Sequence, residues 1–318
     1  MIEEVIKKLE GMFTEEQLET IRETMELVVA DCKTKANHTN VQLIDDFVKN
    51  KNFENCSANT IKLYVWSVKK LNSYIQKPFT EVTKKDIENF LIDYKNSGNV
   101  SSTSLNNMRR NISSFFNYLE CEEIIMSNPV KKIRPIKTEK EIKVPYTEVE
   151  IDRIRHTDMS LCDKAIIDTL LSTGVRVSEL VGMDIADIRD KEIIVRGKGN
   201  KERKVYFSDV AYSSVMAYLR TRTDNNKALF VTTKVYDGEP RRLCKDTVEK
   251  RLREMGDKLG IVMHPHKFRR TVATKCINKG MPIQEVKTLL GHNSIETTMI
   301  YCSVGEMNVK YDHHKYIA

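Results

Sequence analysis

The stretch that most limits this chain's fold is "SNPVKKIRPIKTEKEIKVP" at residues 127–145, which carries three prolines and six basic side chains and lacks helical spacing of apolar residues. Proline fixes φ, removes a backbone donor and steers the residue before it away from helix, so no regular helix is expected to run through. Apolar residues at helical spacing recur on both sides. The chain is therefore expected to divide here, with residues 131–145 as an extended basic linker between two domains. A length of 318 residues is ample for two cores.

Upstream, Ile2, Val5, Ile6 and Leu9 keep helical spacing, and Thr14 with Gln17 offers a capping box before Leu18, Ile21, Met25 and Val28. Residues 1–36 read as a helical extension that could pack on the body, self-associate or touch a partner. Periodicity returns in "LIDDFVKNK", "NTIKLYVWSVKKLNSYI", "DIENFLIDYK" and "SLNNMRRNISSFFNYLE", which makes residues 37–130 a helical domain. Lys62, Lys69, Lys70, Arg109 and Arg110 fall off the apolar stripe. Such a face either tracks phosphates, leaving base contacts to Asn and Ser, or is simply a soluble surface.

Downstream, residues 146–318 mix helices with a little sheet. "YTEVEIDRIR" begins with a capping box at Thr147 and Glu150, and "CDKAIIDTLLSTGVRVSELVGM" reads as two apolar helices broken at Thr173-Gly174. "EIIVRGKGNKERKVYF" has β-branched residues on both sides of a Gly-rich turn, as a β-hairpin does. "LFVTT" reads as a strand, "KDTVEKRLREMGDKLG" as a helix closed by Gly260, and the rest as helix up to His292. The fold class is mainly α with a small β-sheet in the second domain.

The net charge of +7 and pI near 8.9 favour a polyanionic partner, and the location of the charge says more than its sum. Basic residues gather at 130–143 (Lys131, Lys132, Arg134), at 196–204 (Lys198, Lys201), at Arg241 and Arg242, and at 264–270, ending in Arg270. Each cluster alone could be a solvated face. The seven cysteines are scattered without a CxxC pair, so neither a disulfide framework nor a zinc site is expected. With no long apolar run and no signal-peptide pattern, the expectation is a cytoplasmic protein without membrane contact.

Several polar residues could carry chemistry. Arg176 sits at a helix start with Glu179 on the same face, as either a surface ion pair or a phosphate ligand held by the carboxylate. Lys198 lies in the hairpin turn between glycines, as a solvated lysine or one that meets a ligand. His266 and Arg269 share a face of a helix that Pro265 opens, and His264 with His266 makes a poor metal pair across a proline. His292 follows Gly291, and Tyr301 follows nine residues later. Two arginines, a lysine, two histidines and a tyrosine are the inventory of phosphoryl transfer without a metal or other cofactor.

"TGVRVSELVGM", "GKGNKERK", "HPHKFRRT" and "LLGHNSIETTMIY" resemble, in order, the four motifs of the tyrosine recombinases, the phage-integrase and Xer-type enzymes. The resemblance spans nearly the whole chain and implies a SAM-like core-binding domain followed by a catalytic domain, the two closing on DNA as a C-clamp. It makes Arg176 and Arg269 the paired catalytic arginines, Glu179 the support of the first, and Lys198 the acid for the leaving 5′ oxygen. His266 assists the nucleophile's proton, His292 binds the scissile phosphate, and Tyr301 attacks. The implied partners are double-stranded DNA with inverted-repeat core sites, three further copies in a tetramer, and accessory DNA-bending proteins. The implied reaction runs through a 3′-phosphotyrosine and a Holliday junction without ATP or metal, in a mobile-element integrase more than a dimer resolvase. Residues 302–318 would link protomers. Arg270 departs from the family, which often has histidine there; a packing change or an added phosphate contact would follow. Cys302 adjoins the nucleophile as a bystander thiol. A DNA-binding regulator without the chemistry and a type IB topoisomerase are the alternatives.

Overall fold

The computed structural model describes residues 2–35, 39–98, 100–138, 144–197, 201–236 and 238–301. Its contacts separate two units, Met1–Glu141 and Ile142–Ala318. No helix among the described residues is long and apolar enough to cross a membrane.

In the first unit, α1 (Ile2–Leu9) packs on α2 (Glu15–Lys35). Thr14 and Gln17 do form the capping box: the Thr14 amide donates to Gln17 Oε1 at 3.0 Å and the Gln17 amide to Thr14 Oγ1 at 3.4 Å. The helix runs past Val28, where the apolar pattern ends. Four helices then make the body: α3 (Asn40–Phe53), α4 (Ala58–Ile75), α5 (Lys84–Asn96) and α6 (Ser102–Cys121). Thr39, Ser57, Thr83 and Ser101 cap their N-termini by accepting a backbone amide. Leu105, Met108, Ile112, Phe115, Phe116 and Leu119 line the buried face of α6 at helical spacing. Phe115 meets Phe47 of α3 edge to face, with ring centres 5.3 Å apart.

The expected extended linker is in part folded onto this unit. Pro129–Lys132 forms a 3-10 turn capped by Asn128, whose Oδ1 accepts the Val130 amide at 2.8 Å while its Nδ2 donates to Asn117 Oδ1 at 2.7 Å. Val130 and Ile133 are buried, and the Asn106 side chain pairs with the Ile136 backbone at 2.7 and 2.9 Å. The prolines and lysines conceal three apolar anchors, Val130, Ile133 and Ile136, at a spacing of three. That one-sided pattern is enough to dock the segment.

The second unit opens with α7 (Glu148–Arg155), α8 (Leu161–Thr173) and α9 (Val177–Gly182). Strands β1 (Ile188–Arg189), β2 (Glu192–Arg196) and β3 (Glu202–Tyr206) form an antiparallel sheet in sequence order, with Ile193 opposite Val205 and Val195 opposite Arg203. Next come α10 (Asp209–Arg220) and a second hairpin of β4 (Val231–Tyr236) and β5 (Glu239–Arg242). Helices α11 (Lys245–Leu259), α12 (Pro265–Asn278), α13 (Ile283–Leu290) and α14 (Glu296–Met299) follow. Helix α8 is the central post: Ala165, Ile166, Ile167 and Leu170 are buried, and it packs on α10 and α12. Gly174 ends it at φ +60°, where a Cβ would lie 3.0 Å from Leu290 and 3.2 Å from Val272, so only glycine lets α12 and α13 approach. The chain leaves this turn pointing Arg176 toward the end of α13.

Candidate active site

Helix α13 ends in a Schellman motif that satisfies two of its last carbonyls. With Gly291 left-handed at φ +65°, the Gly291 amide donates to Thr288 O at 3.0 Å and the His292 amide to Lys287 O at 3.1 Å. The next three carbonyls would remain orphans. Each instead accepts a guanidinium: Leu289 O from Arg203 Nε at 2.9 Å, Leu290 O from Arg269 Nη2 at 2.5 Å, and Gly291 O from Arg176 Nη2 at 3.0 Å. The helix C-terminus, partially negative, thereby sets three cations at successive steps of the backbone. This end of α13 is the centre of the site.

Arg176 comes from the N-cap of α9, and Glu179, at the third position of that helix, turns back to it. Glu179 Oε2 accepts the Arg176 amide at 2.7 Å and Oε1 accepts Arg176 Nη1 at 2.9 Å. Glu179 is 3% exposed. Burial alone would raise its carboxyl pKa, but hydrogen bonds from Arg203 and Arg176 overcome this and hold it below the ordinary value. Arg203 from β3 closes the cluster with two parallel bonds to the same carboxylate, at 2.7 and 2.8 Å.

Arg269 is 4% exposed on α12, bridging Leu290 O to Gly174 O at 2.8 Å. Its pKa is pulled down to about 10, first by burial and then by the positive charge of Arg176. It remains a full cation near neutral pH. His266, one turn earlier, is exposed; partial loss of solvent and then the charges of Arg269 and Arg176 lower its pKa. His264 is a cap: its Nδ1 accepts the Lys267 amide at 3.2 Å.

His292 is half-buried beside the arginines. Burial, then Arg269, Arg176 and Arg203, press its pKa down to about 4, so the ring is neutral at pH 7. Its Nδ1 is 2.8 Å from the hydroxyl of Thr298, which is fully buried at α14. The short helix α14 then returns the chain so that the Tyr301 ring stacks near His292, with centres 6.0 Å apart and planes 30° apart. Tyr301 packs on the small cluster of Ala273, Val286 and Leu290. Arg176, Arg269, His292, Tyr301 and Glu179 thus meet, with His266 one helical turn from Arg269. Lys198 lies outside the described residues, as do residues 302–318 with Cys302.

Two residues of this arrangement were not among the sequence candidates. Thr298 gave no signal. Arg203 did: strand alternation places it on the same face as the buried Val205, a position that calls for an interior partner for its charge.

Of the candidate phosphate contacts, Lys62, Lys69, Arg110, Lys132, Arg134, Lys201 and Arg241 are exposed. Lys131 is exposed and paired with Glu120 at 2.6 Å. Three depart from expectation because their guanidiniums hold the protein's own carbonyls. Arg109 donates to Ile133 O at 3.3 Å, Arg270 to Val144 O at 3.1 Å, and Arg242 to Val181 O and Met183 O at 2.8 and 3.0 Å while pairing with Asp184. For Arg270 this favours the packing role.

A SAM-like helical module ahead of a mainly helical unit, whose buried arginines meet a histidine and a tyrosine at one helix end, is the plan of a DNA strand-transferring recombinase. Residues 147–307 match the Phage integrase family, and residues 43–125 match the Phage integrase N-terminal SAM-like domain. The chain belongs to the phage integrase family, the tyrosine recombinases. It is 32% identical over 285 residues to Tyrosine recombinase XerA of Pyrococcus horikoshii, covering 86% of this chain and 92% of that protein. It is 30% identical over 276 residues to Tyrosine recombinase XerC of Herpetosiphon aurantiacus, covering 80% and 88%. Among solved structures, a lambda integrase dimer bound to a COC' core site has the same fold, with a TM-score of 0.71, 18% identity, and coverage of 94% of this chain and 84% of that one.

Proposed function

We propose that the protein cuts and rejoins double-stranded DNA at specific sites through a covalent link to Tyr301. The observation that carries this reading is the convergence of Arg176, Arg269, His292 and Tyr301 on the C-terminal end of α13. The phenolic oxygen of Tyr301 attacks the scissile phosphorus, the bond to the 5′ oxygen breaks, and a 3′-phosphotyrosine and a free 5′-hydroxyl result. Arg176 and Arg269 neutralise the non-bridging oxygens as charge builds on them. Both are already fixed by backbone carbonyls, so little reorganisation opposes the transition state.

His266, neutral at pH 7, takes the tyrosine proton. We assign Nδ1 of His292 as the acceptor of the Thr298 hydroxyl, which leaves Nε2–H to donate to the phosphate. Lys198, in the β2–β3 turn, protonates the leaving oxygen. The 5′-hydroxyl of a partner duplex then attacks the phosphotyrosine, restoring a phosphodiester and freeing Tyr301. The bond energy is conserved in the linkage, so no ATP is required, and the guanidiniums of Arg176 and Arg269 supply the positive charge that a metal would otherwise bring.

Two such exchanges between paired duplexes pass through a Holliday junction, which calls for four protomers on inverted-repeat sites. A lambda integrase tetramer bound to a Holliday junction shares the fold, with a TM-score of 0.69 at 20% identity. The element served would be a mobile one. The test is to incubate the protein with fragmented genomic DNA of its source, denature, and sequence what stays attached. Wild type should capture one discrete site and Tyr301→Phe none. Specific binding by wild type without an adduct would instead support a regulator.

A further inference from the structure

Arg203 has no part in the reaction as drawn, yet its side chain makes more hydrogen bonds within the site than that of Arg176 or Arg269. Its three hydrogen bonds run to both oxygens of Glu179 and to Leu289 O, and its side chain is 11% exposed on a strand whose neighbours Glu202, Lys204 and Tyr206 face solvent. Two glycines make room for this cluster. A Cβ on Gly291 would lie 3.0 Å from Arg203 Nη1, and one on Gly197 would lie 3.2 Å from Glu179 Oε1.

The charge count gives the arrangement a purpose. Glu179 is one buried negative charge beside Arg176, and alone it would neutralise Arg176 and draw it down into the protein. Arg203 takes up both carboxylate oxygens, so one negative charge is shared between two guanidiniums. Arg176 then gives the carboxylate a single Nη1 bond beside its Nη2 bond to Gly291 O, and it keeps charge and its remaining donors for a ligand. At the same time Arg203 Nε fixes the carbonyl two residues before the one that Arg176 holds.

We propose that Arg203 is a positioning residue: by clamping Glu179 and the end of α13, it sets how far Arg176 reaches and how much of its charge acts on the scissile phosphate. This rests on the phosphoryl-transfer reading above. Because Arg203 stands on β3, it also couples the β2–β3 hairpin through Glu179 to Arg176.

The test uses the site recovered by covalent capture, made as a nicked synthetic duplex in two forms, one with an ordinary scissile phosphodiester and one with a methylphosphonate. The methyl group replaces a charged non-bridging oxygen, so the neutral linkage needs less from Arg176. Single-turnover adduct formation is measured at saturating DNA for wild type, Arg203→Lys and Arg203→Met. Lysine keeps a charge but cannot hold both carboxylate oxygens, and it guards against a methionine variant that fails to fold. The expected result is a loss of about 100-fold for Arg203→Lys on the phosphodiester, with an unchanged DNA dissociation constant and a deficit at least about tenfold smaller on the methylphosphonate. An equal deficit on both linkages would mean a merely structural arginine, and no deficit on the phosphodiester would overturn the proposal as well. Absence of any wild-type adduct at Tyr301 would bring down the phosphoryl-transfer reading itself, and Arg203 with it.

Discussion

In the second unit, Arg269 and Arg203 are nearly out of reach of water and committed to carbonyls or a carboxylate, whereas in the first unit Lys62, Lys69 and Arg110 stand exposed along α4 and α6. The same charge does different work in the two places. A buried guanidinium is costly to desolvate and keeps one position, so it supplies geometry. An exposed lysine is screened, mobile and cheap to replace, so it supplies attraction that salt removes. Rate should therefore depend on the buried set and affinity on the exposed set.

The sharpest way to break that division is Arg269→Ala. It removes a cation assigned above to the scissile phosphate and leaves Gly174 O and Leu290 O without that donor, so adduct formation should fall by about 1000-fold or more and stability by about 2 kcal/mol. Single-turnover cleavage and urea unfolding read the two effects. If cleavage survives while only affinity drops, buried and exposed charge are not distinct in role.

Acid unfolding sharpens the picture of the buried set. His292 has an ordinary pKa of 6.5 and a folded value of about 4. Between them the unfolded chain binds more protons than the folded one. The stabilisation is complete above the ordinary value and is lost as pH falls through about 4, and full retention would be worth at most about 3 kcal/mol. Replacing His292 with Asn should flatten the stability profile across that window. An unchanged slope would mean that the ring is not held neutral by its surroundings.

Gly291→Ala places a Cβ at a left-handed position and against Arg203, so a loss of about 1–2 kcal/mol is expected. Differential scanning calorimetry would show it as a lower Tm, and an unaltered Tm would mean that the carbonyl ladder yields easily. The smallest effect on rate belongs to the triple change Lys62→Gln, Lys69→Gln and Arg110→Gln. Cleavage at saturating DNA should stay at the wild-type level, while the slope of log affinity against log salt becomes shallower by about 0.9 for each phosphate that is no longer neutralised. A slower cleavage step with an unchanged salt slope would reverse the assignment.

Much of this could be read from the sequence where the physics is local. Helical spacing gave α3 to α6, capping boxes marked the starts of α2 and α7, and glycine with β-branched neighbours gave the β2–β3 hairpin. The site candidates were readable through motif resemblance, with Gly291 and Pro265 supplying physical reasons for two of the motifs. What escaped depends on distant partners. Arg203 meets Glu179 across 24 residues and Leu289 across 86, and no local rule reports either. Strand β5, "EPRR", is too short and charged to announce itself. The basic stretch at 127–145 read as linker because composition outweighed three apolar anchors spaced along it.

Whether Tyr301 carries the DNA is read from the chemistry of the linkage itself. After reaction with the captured site, nuclease and trypsin digestion would leave a peptide bearing a nucleotide remnant, whose attachment point tandem mass spectrometry can assign. The expected product is a 3′-phosphate ester on the oxygen of Tyr301. A remnant on Cys302 or any other residue, or one attached through a 5′ phosphate, would contradict it.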